Sequence, residues 1–195
     1  NRGLPRPLRP QHRLAAPGEG HHSRLMHGQG LCRRDGPALL HRRHVFADVE
    51  NFLLFDFYTD SSVNEDVFAY SNKFNDERGL VIYHNKFADT RGWIKTSAAY
   101  TDKSTGKLVQ RNLAEGIGLP RDGHVIFKDY ATQLEYIRSC KEIWDKGLYI
   151  ELGAYQCHAF VDFRFVGDSE WTTICDNLKG AGVPSMQEKW TELFK

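Results

Sequence analysis

At 195 residues, 41% hydrophobic and 26% charged, with a formal net charge of +1, the chain has the balance of one globular domain with appendages. It holds no run of about 18 apolar residues, which excludes a membrane-spanning helix. The four cysteines, Cys32, Cys140, Cys157 and Cys175, form no CxxC pair; this excludes zinc-ribbon and thioredoxin-type sites and predicts free thiols in a reducing, cytoplasmic setting.

The average conceals two unlike parts. Residues 1–44 hold nine Arg, no Lys, five of the seven Pro and no Phe, Tyr or Trp; against Glu19 and Asp35 this is a net +7. Residues 45–195 carry 17 basic and 23 acidic residues, a net −6. A stretch without aromatics cannot bury enough apolar surface to offset the entropy of ordering it, so 1–44 is expected to be a disordered head. Three readings of it stand: out-of-frame translation of GC-rich DNA, a linker, or an arginine arm for nucleic acid. The missing Lys and the lack of interleaved aromatics weigh against the arm, so nucleic acid is not an expected partner. The head has no apolar h-region of a secretory leader. The chain starts at Asn1 and its first Met is Met26, so a natural start is not expected there.

Val45 to Phe52 has near-helical apolar spacing, and Leu53-Leu-Phe-Asp-Phe-Tyr58 reads as a strand crossing a core. Val67 to Asn72 alternates, with Val67, Ala69 and Ser71 on one face and Phe68, Tyr70 and Asn72 on the other. Lys73-Phe-Asn-Asp-Glu-Arg78 reads as the tip of an antiparallel hairpin. Its second arm, Leu80 to Tyr83, is continuously apolar and is expected to be covered on both faces. Further strands are predicted at Trp93–Tyr100, Lys107–Leu113, His124–Asp129 and Gln133–Arg138, with a turn at Asp102–Gly106 and a loop over 114–120. Ser139 caps a helix to Lys146, closed by Gly147. Leu148–Leu152 and Tyr155–Phe165 are expected to form the last strand pair, the latter with Cys157, Ala159, Val161, Phe163 and Phe165 on one face. Asp168 or Ser169 opens a helix to about Lys179, and Ser185 with Glu188 makes a capping box for a final helix through Leu193. The pattern is mainly β and predicts an antiparallel β-sandwich: a head over 1–44, a sandwich domain over 45–167 and a helical extension over 168–195.

No residue set spells out catalysis, a cofactor or a metal. His84, His124 and His158 lack partners at ligand spacing and read as hydrogen-bonded strand residues, with His158 expected on the face opposite Phe163. Cys157 and His158 are adjacent in a strand, point to opposite faces and cannot form a nucleophile–base pair. Gly116-Ile-Gly118 lacks the third Gly and the helix start of a phosphate cradle. Trp93, Tyr149 and Tyr155 could stack on sugar rings if exposed, with Trp93 and Tyr155 the chosen glycan contacts; core packing is the competing reading.

From about Arg42 onward, the ordered series of segments resembles the C-terminal region of certain alpha-amylase-family glycoside hydrolases. His44-Val-Phe-Ala-Asp-Val-Glu-Asn-Phe-Leu-Leu-Phe-Asp-Phe57 is similar to the junction after their catalytic barrel. Asn64-Glu-Asp-Val-Phe-Ala-Tyr-Ser-Asn72 and Asp76-Glu-Arg-Gly-Leu-Val-Ile-Tyr-His-Asn85 resemble the first hairpin of their C-terminal sandwich. Arg91-Gly-Trp-Ile-Lys-Thr-Ser97 and the stretch from Leu148 to Phe163 resemble later parts. The resemblance implies a non-catalytic domain supporting a (β/α)8 barrel that does not fit within this chain, with an α-glucan as a further contact. The parent reaction would be hydrolysis or transfer at α-glucosidic bonds, carried by an Asp and a Glu of that barrel. Gly167-Asp-Ser-Glu170-Trp171 is similar in letters to the acid/base neighbourhood, but at a helix start it reads as a cap. An independent carbohydrate-binding module is the alternative. The resemblance further implies an exposed apolar patch near Val45–Phe57.

Overall fold

The computed structural model describes residues 43–47 and 49–195; the arginine head up to residue 42, with Cys32, lies outside the described residues. A short helix α1 (Arg43–Ala47) leads into β1 (Leu53–Tyr58), β2 (Val67–Phe74), β3 (Glu77–His84) and β4 (Thr90–Ser97). Then come β5 (Tyr100–Thr101), β6 (Leu108–Val109), α2 (Leu113–Gly116), β7 (His124–Asp129), β8 (Glu135–Ser139) and α3 (Cys140–Lys146). The chain ends with β9 (Leu148–Leu152), β10 (Cys157–Val166), α4 (Ser169–Leu178) and α5 (Met186–Phe194). Eight strands form one antiparallel sheet in the order β8-β7-β10-β3-β2-β1-β4-β9, and β5 with β6 makes a separate ribbon.

Alternation decides which side is core. Leu53, Phe55 and Phe57 of β1, Val67 and Ala69 of β2, Leu80 and Ile82 of β3, and Ile94 of β4 point inward and are buried. The same cluster takes in Leu148, Ile150 and Leu152 from edge strand β9 and Val125 and Phe127 from β7, near the other edge. Residues so far apart in strand order share one interior because the sheet curls. Helix α3 closes the curl: its seven residues, about 10 Å of helix, lead from β8 to β9 and place Cys140 and Ile143 in the same core. Ser139 Oγ accepts from Glu142 N at its start, and Gly147 at φ +92° ends it. An ideal Cβ on Gly147 would meet Ile94 O at 2.6 Å, so only glycine fits.

The outward side of β7 and β8 has a second, smaller core. Ile126 and Ile137, directly opposed, pack with Ile174 of α4 and Met186 of α5. Val183 clips the free edge of β8 through paired main-chain bonds with Glu135 of 2.7 and 2.9 Å. Ser185 Oγ accepts from Glu188 N, as the capping pattern predicts, and Trp190 Nε1 donates to Glu170 Oε2 at 2.7 Å. Glu170 therefore ties two helices together.

Five expectations change. The hairpin tip is tighter than its charged run suggests: β2 continues to Phe74 and β3 resumes at Glu77, because Asn75 takes φ +52° and allows a two-residue turn. The second arm is fully buried on one face only, since Val81 and Tyr83 are half-buried. The predicted strand over Lys107–Leu113 shrinks to two residues, and Leu113–Gly116 is helical, with Asn112 Oδ1 accepting from Ala114 N at 2.8 Å. The last two strands do not pair with each other, since β9 joins β4 and β10 lies between β3 and β7. In β10, Asp162 at φ +54° shifts the register between Val161 and Arg164. The bulge turns Phe163 inward against Phe127 (5.4 Å between ring centroids), so the expected single face from Cys157 to Phe165 breaks, and Phe163 and His158 lie on the same side.

Candidate functional site

Residues directly opposed across neighbouring strands share a face, so the register maps the outer surface row by row. Leu54 lies opposite Tyr70, and Tyr70 opposite Val81. Phe68 lies opposite Tyr83, and Tyr58 with Trp93 and Tyr149 forms a third row across β1, β4 and β9. Helix α1 covers one corner of this face: Phe46 lies over Gly79, where a Cβ would come within 2.5 Å of the ring, and meets Tyr70 edge-on. Helices α4 and α5 cover a different part, over β7 and β8. Between them the face is open. Leu54 is 53% exposed, Phe68 50%, Phe52 40% and Val49 77%. Exposed apolar side chains on one open face make it a candidate interaction surface.

The patch is narrower than the span Val45–Phe57. Val45 of α1 is buried, and so are Leu53, Phe55 and Phe57, because the alternate residues of β1 belong to the interior. Phe68 was readable from the alternation of Val67–Asn72, but nothing in the sequence tells which face of that strand is uncovered.

The two expected glycan contacts are in different places. Trp93 is half-buried on the outer face, 5.1 Å from Tyr149 with the rings at 60°. Tyr149 donates its hydroxyl to Glu151 at 2.9 Å, and that bond, with burial, raises the phenol above its usual range. Tyr155 belongs to the β9–β10 loop, where it adopts φ +54° and packs 6.2 Å from the exposed Phe87. Their nearest ring partners differ, and they belong to separate clusters.

The interior holds a polar pair that sequence reading missed. Asp129 is fully buried at the end of β7. Its Oδ2 accepts from His158 Nδ1 and from Thr132 Oγ1, both at 2.8 Å, and its Oδ1 accepts from Ala159 N and Ala131 N, both at 3.1 Å. Burial pushes its pKa up, but the bonds from His158, Ala159 and Thr132 outweigh this and hold the carboxyl below the usual range. With four donors on two oxygens, Asp129 has no lone pair directed at a substrate. It locks the β7–β8 turn to β10.

His84 is also buried and directs Nδ1 at Gly153 O, 3.0 Å away, while His124 sits partly buried at the start of β7. Among the described residues no group of three His, Cys, Asp or Glu is placed to hold a metal ion. Burial pushes the Cys140 thiol up to about 11.

Comparison with protein-family models, with curated proteins and with solved structures yields no match to this chain.

Proposed function

We propose that this chain is the non-catalytic C-terminal β-sandwich of an alpha-amylase-family glycoside hydrolase, and that its outer sheet face seats against the catalytic barrel of that enzyme. One observation carries the reading: Leu54 and Phe68, placed diagonally on the shared face of β1 and β2, stand half-exposed on an outward face that α1 and α4–α5 leave open. Covering the rest of these two side chains would contribute about 1 kcal/mol each. The order of segments from Val45 to Phe163 supports the family. Its chemistry, hydrolysis or transfer at α-glucosidic bonds, belongs to the barrel's own Asp and Glu.

The test is to mix the purified chain with an alpha-amylase-family barrel stripped of its C-terminal domain. The chain alone turns over no chromogenic maltooligosaccharide. Added to the barrel, it raises the barrel's thermal midpoint, and a Leu54→Ser/Phe68→Ser variant of unchanged fold does not. Equal protection by both chains, or none by either, refutes the reading.

A second reading, an independent carbohydrate-binding module, draws on the Tyr58–Trp93–Tyr149 row with the Glu151 carboxylate beside it. Retardation in an α-glucan affinity gel that is lost in Trp93→Ala favours it.

A further inference from the structure

Lys73 and Arg78 are directly opposed across the β2–β3 hairpin. Like charges in that position destabilise a sheet, so one carboxylate in place of either would be the expected solution. Instead both are half-buried and both cationic ends converge on one point. A Cβ added to Gly118, itself at φ +66°, would lie 3.0 Å from Lys73 Nζ and 3.8 Å from a terminal nitrogen of Arg78. Arg78 is held there by main-chain carbonyls, with Nε donating to Ile117 O at 2.6 Å and one terminal nitrogen to Asp76 O at 2.5 Å. Its guanidinium also lies over the Phe165 ring, 5.0 Å from the centroid.

The neighbouring carboxylates do not neutralise the pair. Glu77 is bound to His44 at 2.9 Å and Glu115 faces Arg111 at 3.8 Å. Lys73 makes no ion pair among the described residues. Burial lowers the pKa of Arg78, and the nearby charge of Asp76 only partly offsets this.

We infer that the Lys73 ammonium and the uncommitted terminal nitrogen of Arg78, which meet beside Gly118, form a binding site for a phosphate-type oxyanion. A compact ammonium and the one guanidinium nitrogen not held by a main-chain carbonyl, converging from two strands, suit a tetrahedral dianion, which takes bonds from both and cancels their repulsion. A monovalent carboxylate leaves one charge uncancelled. The site is independent of the open sheet face and does not rest on the proposed docking.

The experiment titrates the full chain with inorganic phosphate, glycerol 3-phosphate and acetate at constant ionic strength, by calorimetry and by thermal midpoint. Phosphate binds and raises the midpoint, and acetate does so at least about tenfold more weakly. Tighter binding of glycerol 3-phosphate assigns the site to a phosphomonoester, and tighter binding of inorganic phosphate assigns it to the free ion. Lys73→Met weakens phosphate about tenfold or more, yet in phosphate-free, low-salt buffer it is at least as stable as the parent, since a repulsion has gone. Lys73→Glu, which gives Arg78 a partner, is more stable still and does not respond to phosphate. Equal phosphate responses in parent and Lys73→Met, no response in the parent, or a less stable Lys73→Met in phosphate-free buffer overturns the assignment.

Discussion

Replacing Asp129 by Ala tests the interior polar lock most directly. The substitution leaves four donors without their acceptor: His158 Nδ1, Thr132 Oγ1 and the amides of Ala131 and Ala159. Thr132 and Ala131 are exposed and find water in the turn, so their loss is small. His158 and Ala159 are buried, and each stranded donor costs about 1–3 kcal/mol. The expected loss is about 3–5 kcal/mol, the same range as for breaking a buried charged pair. For a chain of this size that is roughly a 6–20 °C fall in thermal midpoint. Urea unfolding of Asp129→Ala, His158→Ala and the double variant measures it, and the cycle isolates the coupling between the two side chains. The folded carboxyl titrates below its ordinary value, so its stabilisation is complete at neutral pH and disappears as pH falls through the folded pKa, below about 4. A loss under about 1 kcal/mol, or single losses that simply add, refutes the view that this pair locks β7 to β10.

Two further outcomes follow from burial. His124 has a lowered pKa, chiefly through burial, which Asp176 partly opposes. The unfolded chain then takes up this proton more readily than the folded one. Stability is therefore insensitive to His124 above pH about 6.5 and falls as pH drops below it, and the difference in unfolding midpoint between parent and His124→Gln should change in that window. Cys140, buried with its thiol pushed up to about 11, should react with a chromogenic disulfide at pH 8 only as fast as the chain opens, and at full rate in denaturant. Immediate labelling at Cys140 itself, in a variant whose Cys32, Cys157 and Cys175 are replaced by Ser, would contradict that burial.

Local chemistry made much of this fold legible. Ser139, Ser185 and Gly147 act where helix-capping rules place them, and the β2–β3 hairpin forms from its alternating arm. What depends on distant pairing was not legible. Nothing near Leu148 tells that β9 joins β4, and nothing near Cys157 tells that β10 lies between β3 and β7. Asp162 carries no written signal that it will take a positive φ, so the inward turn of Phe163 stayed hidden. Asp129 reads as an ordinary turn residue, and only the approach of β10 makes it the acceptor for His158. Lys73 and Arg78 looked like a solvated tip because the loop at Gly118, some 40 residues further on, is what half-buries them.

Of the described strands β10 is the last in chain order, and it is the one that welds β3 to β7. Until it emerges, the earlier strands form two separate sheets with open borders at β3 and β7, each offering unpaired main-chain groups to any passing strand. A premature stop before Cys157 would thus produce two sticky half-sheets rather than a slightly smaller protein. Correct assembly therefore depends on β10 filling both borders before they find each other on different molecules.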